Sequence, residues 1–365
     1  YILRGCGDVD PRDPPPGCRY INAGEKPYDD VDLIRSLTVS SDVYYYRIGE
    51  SIYINPEHPD TAIQDAAGSY GLGLETGITL PFEQDGYMPT PANRRQRNEE
   101  NPVAFPEWGW STGDNVITAI GQGEVLVTPL QLANAFATFA NGGVRHAPNV
   151  VTRVVARDGT VVRQFGPRVL SEVEMDPGFR WRVLEGLGGV TADEEGTAYE
   201  AFNSTVTGGI KFPLERFQVG GKTGTAEVRG KADTSLFAAF GPLREPTHAV
   251  VAILEEAGFG SRVAAPLVAR ILEQVFEGTV PEAPLAAVRY ARSAALPLCL
   301  EWYEWRSGNT LDRLDAADPS SAETGGPELD ASGTVRVRGI RVDCDDLVDE
   351  VLAVFEDRAE TGAGG

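Results

Sequence analysis

Lysine is nearly missing from this chain. Four lysines (26, 211, 222 and 231) stand among 365 residues, and arginine supplies the other 28 basic side chains. None of the four has a serine three positions before it, so these residues contain no Ser-x-x-Lys pair, the arrangement that sets a nucleophilic serine beside a lysine. Histidine is as scarce. The three, at 58, 146 and 248, lie far from every cysteine, which disfavours zinc, and neither a metal nor a cofactor is expected. Positive charge is also in deficit: 54 acidic against 32 basic residues give a net charge of −22, which opposes nucleic acid phosphates and anionic lipid. The longest uncharged stretch, Val125 to Val144, approaches spanning length, but Thr128, Pro129, Gln131, Asn134 and Asn141-Gly142-Gly143 punctuate it. It reads as a buried helix with Thr128 as N-cap, Pro129 at the first helical position and Asn-Gly-Gly as its stop. Tyr1-Ile2-Leu3-Arg4-Gly5-Cys6 lacks the basic start and apolar run of a signal peptide, so any membrane anchor is expected upstream.

What is present is enough for a globular core, with 42% apolar residues in one large domain plus an appendage. The four cysteines fall into two local pairs, Cys6 with Cys18 and Cys299 with Cys344. An even count in this layout suggests two disulfides and an oxidising compartment; four free thiols in a reducing one is the alternative. By chain entropy the shorter loop would contribute ~3 kcal/mol and the longer ~4 kcal/mol.

Along the chain, Val31, Ile34 and Leu37, then Val43 and Tyr46, recur at helical spacing, broken at Ser40-Ser41-Asp42. This is a helix, a short loop and a second helix capped by one of those three residues. Residues 68 to 114 are rich in Gly, Pro and Trp and read as one long loop wrapped over a site. Helical pattern returns over 115 to 141, and 150 to 165 reads as a hairpin turning at Arg157-Asp158-Gly159. From 216 the period becomes two: Phe217 to Val219, Lys222 to Val228, Ser235 to Phe240 and His248 to Leu254 form an antiparallel meander, followed by an amphipathic helix from Ala264 to Phe276. The expected domains are 1–278 and a partly low-complexity extension, 279–365, in which 334–338 alternates like a strand and 347–355 reads as a short helix.

Lys222-Thr223-Gly224-Thr225 carries the most chemistry. On an edge strand beside a cleft, Lys222 provides fixed charge, Thr223 and Thr225 offer hydroxyls to a substrate carboxylate, and Gly224 lets a substrate backbone approach. The N–H of Thr225 suits a developing oxyanion, a donor whose loss typically costs ~3 to 4 kcal/mol. Ser40 and Asp42 would add a proton relay and cleft-wall hydrogen bonds, although Ser and Asp are also ordinary helix caps. Lys-Thr-Gly and Ser-x-Asp belong to the motif set of penicillin-binding serine acyltransferases. Gln122, between two glycines, reads as satisfying backbone groups beneath the helix at 129–140; Glu255-Glu256 and His248 read as solvated turn and edge residues.

Taken in order, several segments resemble the transpeptidase domain of class B penicillin-binding proteins of the elongation type, penicillin-binding protein 2, over roughly residues 1 to 278. They are Ser40-Ser41-Asp42-Val43-Tyr44-Tyr45-Tyr46, Tyr70-Gly71-Leu72-Gly73 with Thr76-Gly77-Ile78, Leu80-Pro81-Phe82-Glu83, Ile120-Gly121-Gln122-Gly123, Thr128 to Ala133, Ala140 to Gly143, Gly221 to Glu227 and Glu255 to Gly260. The resemblance implies an α/β (α+β) fold of the penicillin-binding transpeptidase and serine β-lactamase kind, an antiparallel sheet flanked by helices plus a helical lobe. It implies a peptidoglycan DD-transpeptidase in cell-wall elongation, with Ser40, Asp42 and Lys222 catalytic and Thr223, Gly224 and Thr225 binding substrate. Its partners would be stem peptides, β-lactams and membrane proteins of the elongation machinery, on the extracytoplasmic face of the membrane. Ser-x-x-Lys, an anchor and a non-catalytic domain would then precede Tyr1, and this chain alone would be inactive. A catalytically silent scaffold and a β-lactamase or sensor domain are the alternatives.

Overall fold

The structure is a computed structural model that describes residues 1–277, apart from 8, 11 and 206–208, together with 299, 328–329, 334–337 and 340–344. The chain divides into two compact units, Tyr1–Phe276 and Glu277–Gly365.

The first unit is built round a three-stranded antiparallel sheet of order β5-β6-β7, formed by β5 (Gly220–Ala226), β6 (Thr234–Gly241) and β7 (His248–Leu254). The period-two pattern predicts this meander, with one difference. Residues 217–219 stay outside the sheet, and the Gln218 carbonyl accepts from the Leu243 N–H just beyond β6 (2.7 Å). The central strand β6 is buried on both faces, and Phe237 and Phe240 are fully buried, each worth roughly 1.5–3 kcal/mol of apolar transfer. Phe237 and Ala239 pack with Val268 and Leu272 of the terminal helix α9 (Ala264–Glu277) and with Phe202 of α8 (Tyr199–Asn203). Phe240 packs instead with Leu187 of α7 (Pro177–Ala192) and with Phe136 and Phe139 of α6 (Pro129–Ala140). The expected arrangement of helices flanking an antiparallel sheet is what the chain adopts.

A helical lobe precedes the sheet, comprising α1 (Leu33–Thr38), α2 (Asp42–Ile54), α3 (Ala62–Ser69), α4 (Pro91–Glu100) and α5 (Thr112–Thr118), with α6 following. Helix α6 starts as the sequence predicts: the Thr128 hydroxyl accepts from the Gln131 N–H and the Gln131 side chain accepts from the Thr128 N–H, closing a capping box ahead of Pro129. The predicted hairpin forms between β2 (Arg153–Val155) and β3 (Val161–Gln164), and β1 (Val144–Ala147) pairs with β4 (Arg168–Glu172). The single long loop expected over 68–114 is a correction. It contains α4, opened by a Thr90/Asn93 capping box, and the start of α5, opened by a Ser111/Asp114 box. Helix α4 has almost no apolar residues, so periodicity cannot reveal it; its capping box and the contacts of Arg94 with Asp114 and Trp110 and of Arg97 with Glu124 and Phe105 hold it.

Helix α7 is not marked by the sequence pattern either, because Gly186, Gly188 and Gly189 lower its helix propensity. They are there for contact. A Cβ on Gly186 would stand 2.8 Å from the Ile34 carbonyl and 2.9 Å from Leu37 Cβ, and one on Gly189 would stand 2.4 Å from Thr38 Oγ1. The glycines let α7 lie directly against α1, and the Thr38 hydroxyl, within reach of both the Gly186 and the Ile34 carbonyls (3.1 Å each), fastens the crossing.

Cys6 and Cys18 form a disulfide in the N-terminal segment, whose Leu3 packs with Tyr46 of α2 and Val116 of α5. In the second unit Cys299 is bonded to Cys344, and β8 (Glu328–Leu329), β9 (Thr334–Val337) and β10 (Ile340–Asp343) form an antiparallel sheet of order β10-β9-β8. The strand expected at 334–338 matches β9; the helix expected at 347–355 lies outside the described residues.

The α1–α7 contact yields a stability prediction. Gly189→Ala adds helix propensity, worth about 1 kcal/mol in an open helix. It also forces a Cβ into Thr38, for which overpacking costs about 1–3 kcal/mol. The variant is expected to be net destabilised in urea unfolding, and more so than Gly188→Ala, whose Cβ meets only the movable Leu243 Cδ2.

Candidate functional site

The site forms where the tip of the helical lobe meets the edge of the sheet. Helix α1 ends in a Schellman turn: the Ser40 N–H donates to the Leu37 carbonyl (3.3 Å) and the Ser41 N–H to the Ser36 carbonyl (2.9 Å). Ser40 occupies the left-handed position of that turn, with φ +56°, where glycine is the usual residue. A non-glycine residue there costs roughly 1–2 kcal/mol, so the structure carries a serine side chain at a place where the backbone would prefer none.

That side chain reaches the sheet. Lys222 Nζ donates to Ser40 Oγ at 2.5 Å and to its own neighbour's carbonyl, Thr223 O, at 2.8 Å, so residues 182 apart in sequence meet at one hydrogen bond. Lys222 keeps some accessible surface, but its ammonium is enclosed by protein. Desolvation lowers its pKa from an ordinary 10.5 to about 8, against the attraction of the Asp42 carboxylate. Asp42 is pushed the other way. Burial raises its pKa, opposed by the hydrogen bond its Oδ2 accepts from the Ala23 N–H (3.0 Å) and by the charge of Lys222.

Asp42 opens α2, and Ser41 is its N-cap residue without a side-chain capping bond. The cap comes from elsewhere. Asn22 Oδ1 accepts from the Val43 N–H (3.0 Å) and Asn22 Nδ2 donates to the Lys26 carbonyl (2.8 Å), so the N-terminal segment closes this helix from outside.

Among the described residues β5 pairs only with β6, which leaves Lys222, Thr223, Gly224 and Thr225 on a free edge, with Thr223 opposite Phe237 and Thr225 opposite Ser235. The Thr223 and Thr197 hydroxyls lie 2.7 Å apart. Thr225 Oγ1 accepts from the Gly260 N–H (3.3 Å), and the Thr225 carbonyl accepts from Gln122 Nε2 (3.3 Å). Gln122 thus satisfies backbone, as expected, but on the site strand and not under α6. Gly260 is forced: a Cβ there would stand 2.2 Å from the Leu236 carbonyl and 2.3 Å from the Gly224 carbonyl.

The structure therefore brings Ser40, Asp42, Lys222 and the Thr223-Gly224-Thr225 edge together where the α1–α2 turn meets β5, and adds Asn22, Thr197, Gln122 and Gly260, which sequence reasoning did not place there. Glu255 and His248 stay apart from it. Glu255 makes an exposed ion pair with Lys231 (3.5 Å), and His248 shares a hydrogen bond with Thr247 (2.9 Å). No group of residues suited to holding a metal ion occurs among the described residues. Chemically, this junction presents a buried cation bonded to a serine hydroxyl and, beside it, two threonine hydroxyls on an open edge, an arrangement suited to an anionic substrate and to proton transfer during acyl exchange.

Residues 13–273 match the family model described as the penicillin binding protein transpeptidase domain. The chain is 28% identical over 286 residues to the peptidoglycan D,D-transpeptidase MrdA of Escherichia coli K12, which covers 72% of this chain and 41% of that protein. Among solved structures it is similar to Pseudomonas aeruginosa PBP2 in complex with WCK 5153 (26% identity, TM-score 0.54, covering 69% of this chain and 50% of that one). It is also similar to a chain of a peptidoglycan synthase complex that coordinates polymerization and crosslinking (29% identity, TM-score 0.54, covering 70% and 39%). The chain spans about two fifths of the MrdA relative's length. It belongs to the penicillin-binding protein transpeptidase family, in its PBP2 type.

Proposed function

We propose that this domain is the substrate-side half of a peptidoglycan D,D-transpeptidase that cross-links stem peptides and is acylated by β-lactams, acting outside the cytoplasmic membrane. The observation that carries this reading is the Lys222–Ser40 hydrogen bond set against the open Lys222–Thr225 edge. In this mechanism a serine of a Ser-x-x-Lys pair, which these 365 residues do not contain, attacks the carbonyl of the penultimate residue of a D-Ala-D-Ala stem peptide. The C–N bond breaks, the serine proton passes by way of Ser40 to the departing amine, and an acyl-enzyme remains. A second amine then attacks that ester and releases the serine. Lys222 holds Ser40 in place, Thr223 and Thr225 bind the terminal carboxylate, Gly224 admits the peptide backbone, and the Thr225 N–H stabilises the oxyanion.

Asp42 supplies the counter-charge that keeps Lys222 cationic. Partners in wall elongation are proposed on the footing of the synthase-complex relative. The Cys6–Cys18 and Cys299–Cys344 bridges support an oxidising compartment. No helix among the described residues is long and apolar enough to cross a membrane.

The chain by itself is expected to form no covalent adduct with a fluorescent penicillin. In-gel fluorescence and mass spectrometry decide this, and a label on Ser40 would make the Ser40–Lys222 pair a nucleophile in its own right.

In an acylation-competent protein containing this domain and a Ser-x-x-Lys serine, Lys222→Arg is expected to lower the second-order acylation constant about ten- to a hundredfold. The planar fork of arginine does not fit the space between Ser40 and the Thr223 carbonyl, and one charge-assisted hydrogen bond is worth about 1.5–3 kcal/mol. Thr223→Val should fall in a similar range and Lys231→Arg should be nearly silent. Wild-type constants for the first two would remove this strand from the site.

Lys222 also sets a pH signature. Its pKa is depressed from 10.5 to about 8, so its cost to stability is fully present below pH 8 and is relieved as pH rises from about 8 to about 10.5, where the unfolded chain still holds the proton and the folded one has released it. Urea unfolding of wild type and Lys222→Met across that window should show wild type gaining on the variant by up to ~3 kcal/mol. Parallel curves would mean that Lys222 titrates normally.

A further inference from the structure

The Thr197–Thr223 contact is unused in the mechanism above, yet it decides which way the Thr223 proton points. A threonine hydroxyl has one proton and two lone pairs. At 2.7 Å the two oxygens share a single proton, and either residue can supply it. If Thr223 donates to Thr197, its proton is spent and only lone pairs face the cleft, which repels a carboxylate. If Thr197 donates to Thr223, the Thr223 proton is free to be given to an anion. We propose that Thr197 is a positioning residue: it donates into Thr223 and thereby commits the Thr223 hydroxyl to the carboxylate end of the substrate. The inference rests on the reading of the Lys222–Thr225 edge as the carboxylate site.

Two independent observations support it. Thr225, two residues along the same edge, receives a hydrogen bond from the Gly260 N–H, a group that can only donate. That leaves the Thr225 proton free as well, so both hydroxyls would be fed from behind and donate forward. Second, Thr197 is held firmly enough to do this. Its N–H donates to the Thr38 carbonyl (3.2 Å), two residues before Ser40. Preceding it, Gly196 lies so close to the end of α7 that a Cβ would stand 2.3 Å from the Gly189 carbonyl and 2.6 Å from that of Val190. Glu195 accepts from Nε and Nη2 of Arg35 on α1 (3.2 and 3.1 Å). The same short loop therefore ties the Ser40 turn to the β5 edge, and chains of hydroxyls of this kind polarise one another in a site of low dielectric.

The test is a double-variant cycle in the acylation-competent protein, reading second-order acylation constants for a penicillin with a free carboxylate and for its methyl ester. Thr197→Val should slow the free acid about threefold to tenfold and leave the ester unchanged. Thr197→Ser should restore the wild-type constant, and Thr197→Val with Thr223→Val should be no slower than Thr223→Val alone. Circular dichroism and melting establish that each variant is folded. If Thr223→Val slows the free acid while Thr197→Val does not, or slows acid and ester alike, the positioning role is overturned and the carboxylate site stands. Multiplying effects in the double variant overturn it too. If Thr223→Val itself has wild-type constants, the reading of the edge has failed, and this inference with it.

Discussion

One hydrogen bond, from the Lys222 ammonium to the Ser40 hydroxyl, joins the turn after α1 to the open edge strand of the sheet. Each end is held at a cost. Ser40 takes a left-handed backbone conformation that glycine adopts freely, and Lys222 is enclosed where its charge is disfavoured. Much of the surrounding structure offsets those two costs. The α1–α7 crossing fixes the turn that carries Ser40, Asn22 closes the helix that follows it, Asp42 balances the cation, and β6 backs the strand that carries Lys222. A buried core under β6 and an open edge on β5 let one sheet be rigid on one side and available on the other.

How far this was legible in the sequence depends on whether the signal is local. Helix α6 announces itself because Thr128, Pro129 and Gln131 are adjacent capping devices acting over a few residues. The meander is legible for a related reason, as β6 and β7 are short, mainly apolar runs bounded by turn residues. Helix α4 was not, since a helix with almost no apolar face has no period to read. Helix α7 was hidden by the glycines that allow its closest contact; helix propensity counts against them, and only the presence of Thr38 across the gap explains them.

The site divides along the same line. Ser40 and Lys222 stand within short motifs whose residue types carry their chemistry, so each can be nominated without knowing that they touch. Asn22, Thr197 and Gly260 act through partners 21, 26 and 35 residues away, and alone they are an asparagine, a threonine and a glycine among many. The one available hint for Gly260 was its place in the Glu255 to Gly260 segment of the family pattern. For Thr197 the hint is Gly196, whose lack of a side chain matters only because α7 passes behind it.

Against β5, Gly260 meets the Gly224 main chain and the Leu236 carbonyl with no side chain from either glycine between them. Where a gap between two elements is filled by groups that can change rotamer, its width fluctuates with them. Here, as where Gly196 meets α7, main chain rests on main chain, so the separation is set by peptide dimensions. The loop entering α9 can be raised from the strand only by carrying β7 or α9 with it, both of which are rooted in the core. The strand that carries Lys222 is thus open along its edge and backed by a contact that does not compress.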